Sequence, residues 1–219
     1  MAAEASASGN GSAPRAAVRL LVVLGSVTPR GRLRRALEEA LSRTASQQSL
    51  EAELIDLAER RVSFADGRDP SELSDDTAAV IAAVEAADAV LFATPIYRGS
   101  MTGALKNVFD LLPVPALHGK VAALAALGAS DHHFLGAERH LRDVLSFFGA
   151  LVTPVAVYLS AADFVDGVPG ERAAAALDEL IAGAVSIAAA LRLAGGDRTR
   201  VRLGPSPLAA RALRARAGG

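Results

Sequence analysis

The chain contains no cysteine, and this absence removes several kinds of chemistry at once. Without thiols there can be no disulfide framework, no thiolate nucleophile and no iron–sulfur cluster held by cysteine. Any redox function of this protein therefore requires an organic cofactor. The absence also agrees with a cytoplasmic location, which we predict, because disulfides accumulate in oxidising compartments.

An excess of charge of one sign is missing as well. The 23 Lys and Arg residues and the 24 Asp and Glu residues leave a formal net charge of −1. Such a chain has no basic field that would gather nucleic acid. Although 51% of the residues are hydrophobic, no uninterrupted apolar run is long enough to cross a bilayer. We therefore expect a soluble protein that has neither nucleic acid nor a membrane as a partner.

The 219 residues fit one domain with a tail at each end. Residues 1–17 are small and polar and lack the apolar core of a secretory signal, so we predict a flexible N-terminal tail. Residues 18–193 form the predicted folded domain. Residues 194–219 are rich in arginine among glycine and proline, which indicates a solvated tail or, less often, a contact with an anion or a partner.

Short apolar runs alternate with helix-like segments along the predicted domain. Runs typical of strands lie at 18–24, 52–57, 89–93, 121–127 and 152–159. Helical patterns follow at 33–41, after Ser74 with Asp75 and Asp76 in the first turn, from Gly103, at 133–148 and at 170–192. This alternation predicts a three-layer α/β sandwich with a five-stranded parallel sheet of order 2-1-3-4-5. Such sheets bind ligands outside the carboxyl ends of the strands, at the switch point between strands 1 and 3.

The first of the two switch-point loops, GSVTPRGR at 25–32, joins a strand to a helix N-terminus. Its backbone N–H groups, two hydroxyls and two guanidinium groups suit a phosphate. The loop lacks the closing Gly-Lys-Ser/Thr of a Walker loop and the spacing of the dinucleotide fingerprint, so a single phosphate monoester is the better match. The alternative is an ordinary turn between strand and helix with solvated arginines.

The second loop, TPIYRGSMT at 94–102, holds one charged residue and no acid–base pair. Pro95 fixes the backbone, Gly99 and Gly103 permit close approach, and Thr102 can cap the next helix. We expect N–H groups of this loop to face a flat heterocycle across the crevice. The alternative is a loop shaped only by its own capping.

A third loop follows strand 4 on the same side of the predicted sheet and contains Asp131, His132 and His133. Adjacent residues at a helix start do not converge on one point, and no further ligand is apparent, so we predict no metal site. The favoured interpretation is Asp131 as a helix N-cap beside solvated histidines. His118 and His140 stand alone in the sequence and are interpreted as structural or exposed residues.

Three segments, in their order and spacing, resemble the NADPH-dependent FMN reductase family: LVVLGSVTPRGR, ATPIYRGSMTGALKNVFDLLP and HGKVAALAALGAS. The resemblance covers about residues 18–160 and is sharpest at Pro-Ile-Tyr followed by Gly-Ala-Leu-Lys and Asp-Leu-Leu-Pro. It is closest to the reductases of alkanesulfonate-type two-component monooxygenase systems. It implies a flavodoxin-like fold, noncovalent binding of FMN, and hydride transfer from NADPH or NADH to FMN.

The resemblance also implies which residues form the site. The first loop would hold the 5′-phosphate, the second would flank the isoalloxazine, and the third would approach its pyrimidine end. The implied cofactor-binding residues are Ser26, Thr28, Arg30, Gly31, Arg32, Pro95, Ile96, Tyr97, Arg98, Gly99, Ser100, Gly128, Ala129 and Ser130. Backbone N–H groups around Tyr97 to Ser100 would stabilise charge on the reduced ring, and no catalytic side chain is assigned. Family members commonly have a serine where Gly31 stands, so one phosphate hydroxyl is missing here.

The electron acceptor stays open at this point. Reduced FMN could supply a partner monooxygenase. That subgroup tends to carry an inserted aromatic or histidine in the helix after strand 4, near Arg139 and His140 here, and no inserted tyrosine is evident. The alternative is a reductase that retains FMN and reduces quinones, azo dyes or nitro compounds. An electron-carrier flavodoxin is a weaker alternative, because such carriers are typically acidic and shield the flavin with aromatic residues. The resemblance further implies a homodimer or homotetramer.

Overall fold

The computed structural model describes residues 17–28 and 30–195. The tails predicted at 1–17 and 194–219 lie almost entirely outside the described residues, and so does Pro29.

The strands are β1 (Val18–Leu24), β2 (Leu50–Asp56), β3 (Ala89–Pro95), β4 (Val121–Leu127), β5 (Leu151–Val152), β6 (Val157–Leu159), β7 (Phe164–Val165) and β8 (Val168–Pro169). The helices are α1 (Arg32–Ala45), α2 (Thr77–Ala86), α3 (Gly103–Leu111), α4 (Gly136–Phe148) and α5 (Glu171–Gly195). The main sheet is parallel in the order β2-β1-β3-β4-β5, with β6 also paired to β4. The predicted strand order is therefore confirmed.

Helices cover both faces of this sheet. Successive residues of a strand point to opposite faces, so each central strand contributes to two separate hydrophobic clusters. One cluster joins the sheet to α1 and α5, and the other joins it to α2, α3 and α4. The arrangement confirms the predicted three-layer flavodoxin-like sandwich, and it leaves the carboxyl ends of β1, β3 and β4 together at one edge.

Helix α5 is the one helix of the described residues that is long and apolar enough to cross a membrane by length and composition. In the structure, its apolar stripe packs on the sheet and on α1, with Leu177, Ile181 and Val185 buried. The share of its most apolar window that is buried is 33%. The stripe is thus part of the protein core.

The prediction of one unbroken fifth strand at 152–159 is wrong. Two short strands, β5 and β6, pair with different ends of β4. Between them, the Thr153 N–H still donates to the Ala122 carbonyl at 2.9 Å, and the pairing is interrupted after this bond. Pro154 has no N–H to donate to a sheet, and the Thr153 hydroxyl binds the Val155 carbonyl at 2.9 Å instead. The pattern of apolar residues by itself did not predict this interruption.

The prediction that Ser74 opens the second helix is also wrong, because α2 begins at Thr77. Asp75 lies ahead of the helix and accepts hydrogen bonds from the Ser63 hydroxyl at 2.6 Å and from the Thr77 N–H at 2.9 Å. These bonds, the one from Ser63 first, lower the pKa of Asp75 to about 2. The carboxylate therefore ties the preceding loop to the helix start, a contact that helical periodicity does not encode.

The hairpin of β7 and β8 was not anticipated. Its turn consists of Asp166 and Gly167, whose φ angles are 51° and 77°. An Asp-Gly pair is a strong hairpin signal because both central residues of the turn need positive φ. The hairpin places Phe164 next to the start of α1, beside the first switch-point loop.

Candidate functional site

Hydrogen bonds tie the first two switch-point loops together at the carboxyl edge of the sheet. The Thr102 hydroxyl donates to the Gly25 carbonyl at 2.6 Å and accepts from the Leu105 N–H at 3.2 Å. The predicted cap of α3 by Thr102 is therefore confirmed, and the same hydroxyl also fixes the first loop. Because Thr102 is 1% exposed, water does not compete for these bonds.

Two glycines permit the close approach of neighbouring chain segments. A Cβ added at Gly25 would lie 2.6 Å from the Leu105 Cβ. A Cβ added at Gly128 would overlap the Tyr158 hydroxyl, which donates to the Ser130 carbonyl. Burial and then the nearby Asp131 carboxylate raise the pKa of Tyr158, so the hydroxyl stays protonated as a donor. The third loop is thus held in place by a tyrosine that sequence reasoning missed.

Within the first loop, the Ser26 hydroxyl serves as an internal brace. It donates to the Thr28 carbonyl at 2.7 Å and accepts from the Thr28 N–H at 3.3 Å. Ser26 is buried, whereas Thr28 is exposed. Of the two hydroxyls predicted to meet a phosphate, the Thr28 hydroxyl is the one at the surface.

The first turn of α1 lacks a side-chain cap in the described structure. Its N-cap is Gly31, with φ −75° and ψ 173°, and the first turn contains no acidic residue. The first backbone N–H groups of a helix have no intrahelical acceptor, and the helix dipole makes this end electropositive. Nothing lies within 4 Å of a Cβ built at Gly31, so the end is open. This arrangement fits a phosphate, as the first loop predicts.

The arginines beside this helix end are partly neutralised. Arg34 binds Glu38, Asp56 and Glu59, and hydrogen bonds to Glu38 and Glu59 raise the pKa of Arg34. The exposed Arg30 lies 4.0 Å from Glu59. The Arg32 guanidinium is 5.3 Å from the centre of the Phe164 ring and has no acidic partner among the described residues. Arg32 is therefore the arginine of this loop whose charge is least compensated.

The second loop ends in a two-residue hairpin turn. The Tyr97 N–H donates to the Ser100 carbonyl at 2.9 Å, and the Ser100 N–H donates to the Tyr97 carbonyl at 3.1 Å. Arg98 and Gly99 between them have φ angles of 53° and 78°, the pattern of a primed hairpin turn. The prediction that N–H groups throughout this turn stabilise the ring thus needs correction, because those of Tyr97 and Ser100 bond within the turn. The N–H groups of Arg98 and Gly99 have no acceptor in the described part of the chain.

Helix α4 contacts this turn through His140, whose Nδ1 lies 2.7 Å from the Ser100 Oγ. His140 is exposed, as predicted. The prediction made for Asp131 is wrong. Asp131 is not an N-cap: it is the first residue of a short 3₁₀ helix, Asp131–His133, that follows Ser130. His132 and His133 are exposed, as predicted.

The fold brings three loops to one edge of the sheet, and twelve of the fourteen predicted site residues lie on them; the other two are Arg32, the first residue of α1, and Pro95, the last residue of β3. A parallel sheet of this order, with an open helix end and two further loops at its switch point, defines a flavodoxin-like protein. The particular family follows from comparison with known proteins. The sequence model described as NADPH-dependent FMN reductase matches residues 18–164, so the chain belongs to that family.

Several relatives of the chain are named as flavin reductases. The NAD(P)H-dependent FAD/FMN reductase of Geobacillus thermodenitrificans is 44% identical over 109 residues, which span 50% of this chain and 59% of that protein. The NADH-dependent FMN reductase SfnE of Pseudomonas putida is 36% identical over 147 residues, spanning 67% of this chain and 79% of its own length. The apo structure of the NADH:FMN oxidoreductase EmoB is similar, with a TM-score of 0.63, 25% identity and coverage of 79% of this chain and 89% of that one.

Proposed function

We propose that this protein reduces FMN with a nicotinamide nucleotide. The observation that carries the proposal is the open N-terminus of α1 at Gly31, which has the chemistry of a phosphate site and lies at the switch point of a chain of the FMN reductase family. The nucleotide is NADPH or NADH, since relatives are named for either.

The protein residues would bind and orient, and none would transfer a proton. When both nucleotides are bound, the nicotinamide supplies a hydride to the flavin, a step that depends on stacking geometry. The α1 N-terminus, exposed Thr28 and Arg32 would hold the phosphate. The other loops would frame the ring, with Arg98 and Gly99 supplying the N–H groups that the turn itself does not use.

The full set proposed to contact FMN is unchanged from the sequence prediction, but the roles within it differ. Ser26 would shape the phosphate loop through its bond to Thr28, and Arg30 would contribute long-range charge reduced by Glu59. Gly128 would permit the approach of Tyr158, which holds the Ser130 carbonyl. These residues would therefore act by shaping the site, and their replacement should change affinity more than chemistry.

The destination of the electrons, the assembly state and the location are part of the proposal. We favour release of reduced FMN to a partner flavin-dependent monooxygenase, supported by the resemblance to the alkanesulfonate-system reductases. A reductase that retains FMN and reduces quinones, azo or nitro compounds is the alternative. A homodimer or homotetramer and a cytoplasmic location remain predictions.

Visible spectra and nucleotide oxidation test the proposal. The purified protein is scanned for bound flavin, and oxidation of NADPH and of NADH is followed with no flavin, with FMN and with riboflavin. Saturable activity that requires added FMN and falls with riboflavin, which lacks the phosphate, is the expected result. A tightly bound yellow flavin with turnover dependent on a quinone would instead establish the retained-flavin alternative. No FMN binding at all would refute both.

A further inference from the structure

The turn Tyr97–Ser100 adopts a backbone conformation that needs external support. Arg98 is not glycine, yet its φ is 53°, in the left-handed region that side chains disfavour. Residues held in such regions persist when the surrounding structure over-determines them. The two bonds between Tyr97 and Ser100 close the turn but do not attach it to the rest of the protein.

Helix α4 supplies that attachment from one of its faces. A Cβ added at Gly136 would lie 2.7 Å from the Gly99 carbonyl oxygen, so the helix approaches the turn as closely as a glycine allows. Four residues later, His140 Nδ1 lies 2.7 Å from Ser100 Oγ. Because residues four apart lie on the same helix face, Gly136 and His140 contact two consecutive residues of the turn, Gly99 and Ser100.

Helix stability does not account for the position of His140. The residue is exposed, lies in the second turn of α4, and bonds to a residue 40 positions earlier in the chain. We infer that His140 is a positioning residue: its bond to Ser100 holds the Tyr97–Ser100 turn, and thereby the ring-side wall of the site, in place. The first part of this inference, that the bond holds the turn, does not depend on the proposed function. The second part, that the turn forms the ring-side wall of an FMN site, rests on the proposed function.

Trypsin reports on the first part directly, because the exposed Arg98 lies inside the turn. Cleavage of the Arg98–Gly99 bond requires the turn to open, and its rate tracks the open population when closing is fast. We expect His140→Ala and Ser100→Ala each to speed this cleavage roughly two- to tenfold in FMN-free protein, the range for one lost hydrogen bond. The double variant should cleave no faster than either single variant.

Controls separate a local effect from general loosening. His140→Asn keeps a side-chain amide near the position of Nδ1 and should restore the parent rate. His132→Ala removes an exposed histidine of the same region and should leave the rate unchanged. The free energy of unfolding in urea should fall in His140→Ala and Ser100→Ala by no more than the value of this one hydrogen bond, because the unfolded chain lacks the bond just as the open turn does. Cleavage at Arg98 that is unchanged in His140→Ala refutes the inference.

FMN titration by fluorescence quenching tests the second part. His140→Ala should weaken FMN binding by a factor similar to its effect on cleavage, with His140→Asn near the parent protein. Faster cleavage together with unchanged FMN affinity would refute the link between the turn and the flavin. If the parent protein binds no FMN, the proposed function is wrong, and the cleavage rates still decide whether His140 holds the turn.

Discussion

A matched pair of substitutions at Gly31 tests the phosphate site most directly. The φ of −75° and ψ of 173° suit any residue, and a Cβ at this position meets no atom within 4 Å. Gly31→Asp and Gly31→Asn should therefore fold without steric strain. Both side chains are good N-caps and have nearly the same shape, so they differ chiefly in charge.

The charge should affect folding and FMN binding in opposite directions. A carboxylate at the N-terminus of α1 interacts favourably with the helix dipole, so Gly31→Asp should raise the free energy of unfolding by about 0.3–1 kcal/mol over Gly31→Asn. A phosphate at the same helix end would be repelled. Taking about 5 Å between the charges and a dielectric constant of about 20–80, one unit of charge costs about 0.8–3.3 kcal/mol. We therefore expect FMN affinity roughly 4- to 250-fold weaker in Gly31→Asp than in Gly31→Asn.

Flavin affinity is measured by fluorescence titration of both variants with FMN and with riboflavin. The free energy of unfolding of both variants is measured in urea. The difference between the variants should appear with FMN, shrink at high salt and vanish with riboflavin, which carries no phosphate. Gly31→Ser, which adds the hydroxyl that the family resemblance leads us to expect here, should bind FMN roughly 13- to 160-fold more tightly than Gly31→Ala, since a hydrogen bond to a charged group contributes about 1.5–3 kcal/mol. Equal FMN affinity in the Asp and Asn variants would refute the location of the phosphate.

Three further outcomes follow from contacts at the opposite edge of the sheet, for Lys120, and near the site, for Gly128 and Asp163. Lys120→Met should lower the free energy of unfolding, measured in urea, by about 2–3 kcal/mol, because the buried ammonium donates to the Val84 and Glu85 carbonyls near the end of α2 at 2.7 and 2.6 Å. The control Lys106→Met removes an exposed lysine and should lower it by less than about 0.5 kcal/mol. Gly128→Ala should displace Tyr158 and destabilise the protein by about 1–3 kcal/mol in thermal unfolding. Adding Tyr158→Phe should recover only part of this loss, because the ring Cζ would still lie 2.8 Å from the new Cβ. Burial raises the pKa of Asp163, but a backbone hydrogen bond and a neighbouring arginine lower it more, so it lies below the ordinary 3.8. Its ionised form therefore stabilises the fold above pH 3.8, and the advantage over Asp163→Asn should disappear as pH falls below that value; an advantage that grew with acid would contradict the assignment.

The alternation of apolar runs and amphipathic helices was sufficient to predict the sheet order and the edge where the site lies. Buried parallel strands and one-sided helices leave periodic patterns that need no knowledge of contacts. The capping role of Thr102 was also readable, since it depends on neighbours three residues away. The fifth strand and the start of α2 were misjudged, because Pro154 has no N–H to donate to the sheet and the Asp75 carboxylate accepts from the Thr77 N–H ahead of the helix. Neither effect appears in the apolar pattern.

The amino-acid sequence by itself determined which segments form strands and helices and what chemistry each loop offers, because both follow from patterns within short windows. The meeting of the loops followed from the strand order of the common doubly wound arrangement. The tertiary structure decided how those groups are used. Arg34 forms ion pairs with Asp56 and Glu59. The Tyr158 hydroxyl donates to the Ser130 carbonyl of the third loop, and His140 contacts the Ser100 hydroxyl of the second loop. Each of these contacts joins residues about 22 to 40 positions apart in the chain, and no local periodicity records which distant side chains the packed helices bring together.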